Sequence, residues 1–225
     1  MEFEYTSLQI ISGFLDLKDL QFLALVNKST NKTVTEYVKQ NRIIDCRRDK
    51  EKALKLAKEG YKVKLDLSWC KNITDVSALG GVHTLNLSFC DDITDVSALG
   101  GAHTLSLSYC DNITDVSALG GVHTLYLTGC KNIKDISALG GVHTLNLTGC
   151  DNITDVSALG GVHHLDLSCC DNITDVSALS GVHHLDLSHC DNITDVSALG
   201  GVHTLDLRGC ENISTLIVNV EHIKI

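Results

Sequence analysis

Along most of this chain the apolar and polar positions follow one pattern, written again every twenty residues. In the unit spanning residues 81–100, GVHTLNLSFCDDITDVSALG, Leu85 and Leu87 alternate with Thr84, Asn86 and Ser88. That period of two is the mark of a short strand with one buried face, so the leucines are expected inward and the polar residues outward. Cys90 ends the strand as a small, mostly apolar filler whose S–H can reach a backbone carbonyl in the bend. Ile93, Val96 and Leu99 then recur at intervals of three, which suits a 3₁₀ or irregular turn and leaves no length for an α-helix. Asp95 is expected to cap that turn by accepting the N–H of Ser97 or Ala98. Gly100 and Gly101 make the return to the next strand, where a positive φ or a close backbone approach excludes a Cβ.

The unit recurs with few changes from 61 to about 213, with cysteines at 70, 90, 110, 130, 150, 170, 190 and 210. One such unit cannot bury its apolar face alone, so the repeats must stack into a solenoid, and their common register makes the strands parallel. Eight strands spaced about 4.8 Å apart span roughly 35 Å. At the N-terminal side, residues 49–59 read as a helix with Ala53, Leu54 and Ala57 on one face and Gly60 as its stop, placed to cover the first repeat. At the other side, residues 220–225 repeat the strand two residues early, leaving an edge guarded by Glu221 and Lys224 through which copies could associate. The expected organisation is a small α-helical cap over residues 1–60 and a solenoid over 61–225, with parallel β-strands on one face and 3₁₀ or irregular turns on the other.

Charge narrows the partners. The net formal charge of −10 is uneven: residues 61–225 hold 7 Lys/Arg against 19 Asp/Glu. Such a surface repels phosphate, so neither nucleic acid nor an anionic membrane is expected to bind, and a protein with a basic face is the better partner. No stretch approaches the length of a membrane span and the first twenty residues lack a basic leader region. Eight of ten cysteines share one repeat position, a packing pattern that predicts reduced thiols in a cytoplasmic, reducing compartment. The sequons at Asn72, Asn112, Asn152, Asn172 and Asn192 fit the same reading, because glycans at repeat spacing would crowd one another.

Leu-x-Leu-x-x-Cys-x-x-Ile-Thr-Asp resembles the cysteine-containing leucine-rich repeat, and Ile-Thr-Asp-Val-Ser-Ala-Leu is similar to the short internalin-type repeat of bacteria, over roughly residues 62–225. The resemblance implies a leucine-rich repeat solenoid that works by protein–protein interaction. Residues 8–20, with Leu8, Ile11, Phe14, Leu15 and Leu20 as the matching apolar positions, together with Leu25-Val26-Asn27-Lys28, resemble an F-box. An F-box implies docking on the Skp-type adaptor of a cullin-type ubiquitin ligase, which would make the chain a substrate receptor. The segment departs from that family in lacking its Leu-Pro opening and in carrying Thr30 where a bulky aromatic is common. A degenerate F-box or an unrelated helical segment serving only as a cap therefore stands beside it, as does a purely structural repeat protein that self-associates through its C-terminal edge. A small F-box-like cap followed by near-identical repeats is also similar to leucine-rich repeat proteins encoded by large DNA viruses of amoebae, which implies a host-cell cytoplasm.

Differences between units fall mostly on two columns. The residue before each cysteine reads Trp69, Phe89, Tyr109, Gly129, Gly149, Cys169, His189, Gly209, and its three aromatics either anchor a partner or pack under the N-terminal segment. The outward strand column reads Asp66, Asn86, Ser106, Tyr126, Asn146, Asp166, Asp186, Asp206. Its acidic half, with Tyr126, His164, His184 and Arg208 alongside, is the candidate surface for a basic peptide or loop. Histidines at 83, 103, 123, 143, 163, 183 and 203 form a third column, separated from the cysteines by a strand. Strand side chains stand parallel rather than converging, so no metal is expected, and the glycine spacing of calcium-binding β-rolls is missing. Ser, His, Asp and Cys recur in every unit with nothing unique to mark a nucleophile and its base, so no enzyme and no cofactor are expected.

Overall fold

A computed structural model describes residues 35–36, 38–40, 43–46, 48–214 and 220–225. Ten short strands hydrogen-bond in sequence order into one parallel sheet: β1 (Ile43–Asp45), β2 (Lys62–Asp66), β3 (Thr84–Asn86), β4 (Thr104–Ser106), β5 (Thr124–Tyr126), β6 (Thr144–Asn146), β7 (His164–Asp166), β8 (His184–Asp186), β9 (Thr204–Asp206) and β10 (His222–Lys224). From β2 to β9 each residue pairs with the residue twenty positions on, as Leu85 does with Leu105. The spacing is 19 between β1 and β2 and 18 between β9 and β10, where Thr204 pairs with His222. This is the stacked solenoid the period demanded.

The interior is one spine. Val82, Leu85, Leu87, Cys90, Ile93, Val96 and Leu99 are each at most 2% exposed, and their equivalents as far as Leu199 are likewise buried, while Cys210 and Ile213 of the last unit are partly buried. Burying leucine and isoleucine stabilises by about 1.5–3 kcal/mol per side chain, so repetition along the coil supplies the main folding force. On the side opposite the strands, 3₁₀ turns such as Ser97–Gly101 run between units. Each follows an aspartate that accepts the backbone N–H two residues on, Asp95 Oδ1 from Ser97 N at 2.8 Å and Asp155 Oδ1 from Ser157 N at 2.9 Å. Those bonds hold the Asp95 carboxyl below the usual carboxylate range.

Of the two explanations for Gly100, close approach is the one observed: a Cβ there would collide with the Ala118 carbonyl, and one on Gly140 with the Ala158 carbonyl. Positive φ falls elsewhere. Trp69, Phe89, Tyr109, Cys169 and His189 stand at φ 57–65° and Gly129, Gly149 and Gly209 at 66–78°, so the residue before every cysteine of the repeat column is left-handed. The kink lets its N–H continue the ladder, as Phe89 N does to Ser108 O at 2.9 Å, while the chain turns the cysteine inward.

From Cys90 to Cys210 each thiol of the column then donates to a carbonyl of the preceding unit: Cys90 Sγ to Leu67 O at 3.2 Å, Cys130 to Leu107 O at 3.1 Å, Cys190 to Leu167 O at 3.1 Å. All ten cysteines are free, and Cys90 through Cys190 at the repeat position are buried. A second ladder runs beside it, in which Asn112 Nδ2 donates to Asp91 O at 2.8 Å and Asn152 Nδ2 to Lys131 O at 2.6 Å. These asparagines, which the sequence shows only as sequons, tie each unit to the one before.

The N-terminal side differs from expectation in one respect. Helix α1 (Lys50–Lys58) forms as expected, with Asp49 capping through Lys52 N at 2.9 Å, Ala53 buried and Gly60 at φ +85°. It does not sit above a sheet that starts after residue 60, however. Strand β1 precedes it and pairs with β2, with Ile44 buried, so residues 43–61 make a divergent unit whose 3₁₀ turn has become a helix.

Candidate functional site

On the outward face of the strands a groove of about 330 Å³ runs from β5 to β10. Tyr126, Thr144, Asn146, His164, Asp166, His184, Asp186, Thr204, Asp206 and Lys224 line it. Parallel pairing puts each strand residue beside its equivalent in the next unit, so the column Tyr126, Asn146, Asp166, Asp186, Asp206 is continuous across neighbouring strands. Six of the residues singled out by sequence therefore share this groove: Tyr126, His164, Asp166, His184, Asp186 and Asp206.

They are not equivalent. Asp166 Oδ1 accepts Ser168 N at 3.0 Å and Ser168 Oγ at 2.6 Å, and its Oδ2 accepts Asn146 Nδ2 at 2.8 Å. Asp206 and Arg208 pair with each other. Asp206 is only 5% exposed, with Arg208 Nε donating to it at 2.9 Å and Nη2 at 2.8 Å, and Lys224 Nζ lying 3.5 Å away. Arg208 holds this carboxyl below the usual range, and the two charges pair within the chain while the Arg208 side chain stays 60% exposed. Lys224, expected to guard the sheet edge, takes part instead in this pairing. Between these two satisfied carboxylates lies Asp186, whose Oδ1 accepts Ser188 N at 2.8 Å and Oγ at 2.6 Å while no described hydrogen bond takes Oδ2.

The imidazoles of His164 and His184 stack in the same groove, centroids 4.4 Å apart and 2° from parallel. Burial and neighbouring histidines hold both below the ordinary imidazole value. Among the described residues no cluster of three or more His, Cys, Asp or Glu converges to hold a metal ion, and no helix is long and apolar enough to cross a membrane.

A second surface lies at the opposite ends of the strands. Trp69 stacks on Phe89 with centroids 3.9 Å apart and planes 6° apart, and Phe89 on Tyr109 at 4.7 Å and 11°. Trp69 is 60% and Tyr109 45% exposed. The left-handed backbone at these positions swings the rings onto one another and, at the end of the row, swings Tyr109 across Gly129. Sequence showed the column but not this conformation; the three glycines among its eight members were the signal. The F-box-like positions Leu8, Ile11, Phe14, Leu15 and Leu20 lie outside the described residues.

The model for the Leucine Rich repeat family matches residues 82–99, 162–180 and 182–199. No curated protein matches this chain. Among solved structures, internalin C2 from Listeria monocytogenes is 22% identical with a TM-score of 0.50, over 77% of this chain and 90% of its own. The internalin inlF of the same organism is 20% identical at 0.38, over 72% of this chain and 59% of its own. The functional domain of InlJ, described as including a cysteine ladder, is 19% identical at 0.41, over 72% and 48%. The parallel strands, the 3₁₀ turns and the matched units together make this chain a leucine-rich repeat solenoid with a cysteine at the inner corner of each repeat.

Proposed function

We propose that the chain is a protein-interaction module whose groove receives a partner segment presenting a positively charged side chain. Leucine-rich repeat proteins generally act in protein–protein interaction, and the carrying observation here is the open carboxylate of Asp186 between two satisfied neighbours, in a groove that also holds the rings of His184 and Tyr126. A cation there meets a carboxylate oxygen that no described hydrogen bond takes, in a groove that also carries an aromatic ring. The acidic excess of residues 61–225 favours the same kind of partner. Trp69, Phe89 and Tyr109 offer a separate anchor for an apolar segment of a partner.

Asp166→Asn and Asp186→Asn test the reading without disturbing the coil, because Asn86 and Asn146 already occupy that column. Lysine- and arginine-rich peptides are expected to bind the native chain and to lose roughly tenfold or more in affinity for the double variant. Equal binding by both proteins overturns the proposal.

The F-box-like segment carries a further part of the reading: through it the module recruits a Skp-type adaptor and serves as substrate receptor of a cullin-type ligase, in the cytoplasm of a host cell and of viral origin. The buried thiols suit that reducing compartment. Adaptor capture by the chain, and its loss on Leu15→Ala with Leu20→Ala, is the measurement that credits it. The competing structural role, self-association through β10, draws support from Ile223 and Ile225, 40% and 79% exposed; it requires oligomers that grow with concentration in sedimentation.

A further inference from the structure

Ten of the eleven histidines form one continuous contact network. Along the edge of the sheet the rings of His83, His103, His123, His143, His163, His183 and His203 follow one another with centroids 4.5–4.8 Å apart. In three of the units where threonine comes next, its hydroxyl pairs with the ring: Thr84 Oγ1 is 3.1 Å from His83 Nδ1, Thr124 Oγ1 3.2 Å from His123 Nδ1, and Thr144 Oγ1 3.3 Å from His143 Nδ1. In β7 and β8 that threonine is replaced by His164 and His184. Two consequences follow. The Nδ1 of His163 is buried with no hydrogen-bond partner. Two rings per strand now meet two on the next, with His163–His164 at 4.5 Å, His183–His184 at 4.4 Å, His163–His183 at 4.6 Å and His164–His184 at 4.4 Å.

We propose that this quartet is an acid-sensitive latch between β7 and β8, closed while its imidazoles are neutral and loosened when they bind protons. Two like charges at about 4.5 Å repel, and the quartet has no threonine oxygen to accept from the added protons. Among the described residues the ion pairs include none between a carboxylate and a ring of the quartet. From β6, His143 lies 4.8 Å from His163 and 5.8 Å from His164. From β9, His203 lies 4.6 Å from His183 and 5.9 Å from His184, and beyond it stand His222 and Glu221, whose carboxylate is already 2.7 Å from His203 Nδ1. Asp166 and Asp186 share the groove, each with one oxygen bound by its own serine, while Tyr126 lines one end of it and Asp206, Arg208 and Lys224 lie as a satisfied group at the other.

The direction follows from linkage. Burial first, and neighbouring imidazoles second, hold His163, His164 and His184 below the ordinary imidazole value of 6.5. The unfolded or opened chain therefore takes up protons first as pH falls. The contribution of these three rings is intact above about pH 6.5 and is lost on descending through their lower, folded values.

The repeats supply their own control, since His164→Thr with His184→Thr restores the residue found at 84, 104, 124, 144 and 204. Amide exchange at Leu167, whose N–H donates to Asp186 O across the β7–β8 junction at 2.9 Å, corrected for its intrinsic pH dependence, is measured on the full chain between pH 7.5 and 5. Protection is expected to fall about tenfold or more in the native protein and far less in the variant. An equal fall in both overturns the latch. If the variant fails to fold, proton NMR titration of the native imidazoles decides: some rings must titrate below about 6.5 in staggered steps, and independent titrations of every ring at the ordinary value overturn it.

Discussion

Gly129 and Gly149 occupy the same position of successive units, at φ +69° and +66°, yet a side chain at each would meet different surroundings. A Cβ on Gly149 has nothing within 4 Å, whereas one on Gly129 would come within 2.6 Å of two carbons of the Tyr109 ring. Gly149→Ala therefore reports backbone strain alone. Left-handed alanine costs about 1–2 kcal/mol, and the reduced freedom of the unfolded chain returns about 0.4–1, for a net loss of about 1 kcal/mol. Gly129→Ala adds displacement of the Tyr109 ring and with it the stack on Phe89, worth about 0.5–1.5 kcal/mol, so its total is about 2 kcal/mol. Urea unfolding of both variants measures the difference, and the single tryptophan, Trp69 on Phe89, gives an optical report of the stack. Equal losses for the two alanines would refute the ring collision. Two neutral substitutions would refute the argument from backbone conformation.

The thiol ladder is expected to be inert while the protein is folded. Burial pushes Cys110 and Cys170 up to about 12 and Cys130 up to about 11, so alkylation at pH 8 should modify the exposed Cys169 first and reach the buried thiols only on unfolding, as peptide mass mapping would show. In the middle of the spine, Leu145→Ala should cost about 2–5 kcal/mol in urea unfolding, because Leu145 is 1% exposed and neighbouring units on both sides fix the cavity walls.

What sequence could show here depended on repetition. A twenty-residue period disclosed the strand, the buried leucines, the Asp95 cap and the cysteine column, since each of these follows from spacing that every unit repeats. Strand β1 escaped because Ile43-Ile44-Asp45 belongs to a unit in which a helix takes the place of the turn, so the period does not reach it. The left-handed column escaped because tryptophan, phenylalanine and tyrosine do not favour that conformation, and only the glycines betrayed it. The groove was visible as a column of polar residues, but not its internal inequality. Asp206 looked like Asp166 and Asp186 until β10, arriving after 18 rather than 20 residues, brought Lys224 beside it. Likewise the orphaned ring nitrogen of His163 depends on a hydrogen bond that other units make and this one cannot.

Near-identical units joined in a constant register also shape how the chain reaches its native state. Because β5 and β7 present almost the same partners to an incoming strand, a segment can dock one unit out of step and still satisfy its local bonds, leaving the skipped twenty residues as an extruded loop. Inside the array, what distinguishes such a shortened coil from the correct one is a few columns, the Trp69–Phe89–Tyr109 stack and the doubled histidines of β7 and β8. The divergent units built on α1 and on β10 add to that discrimination, so the positions where units differ hold the identical ones in step.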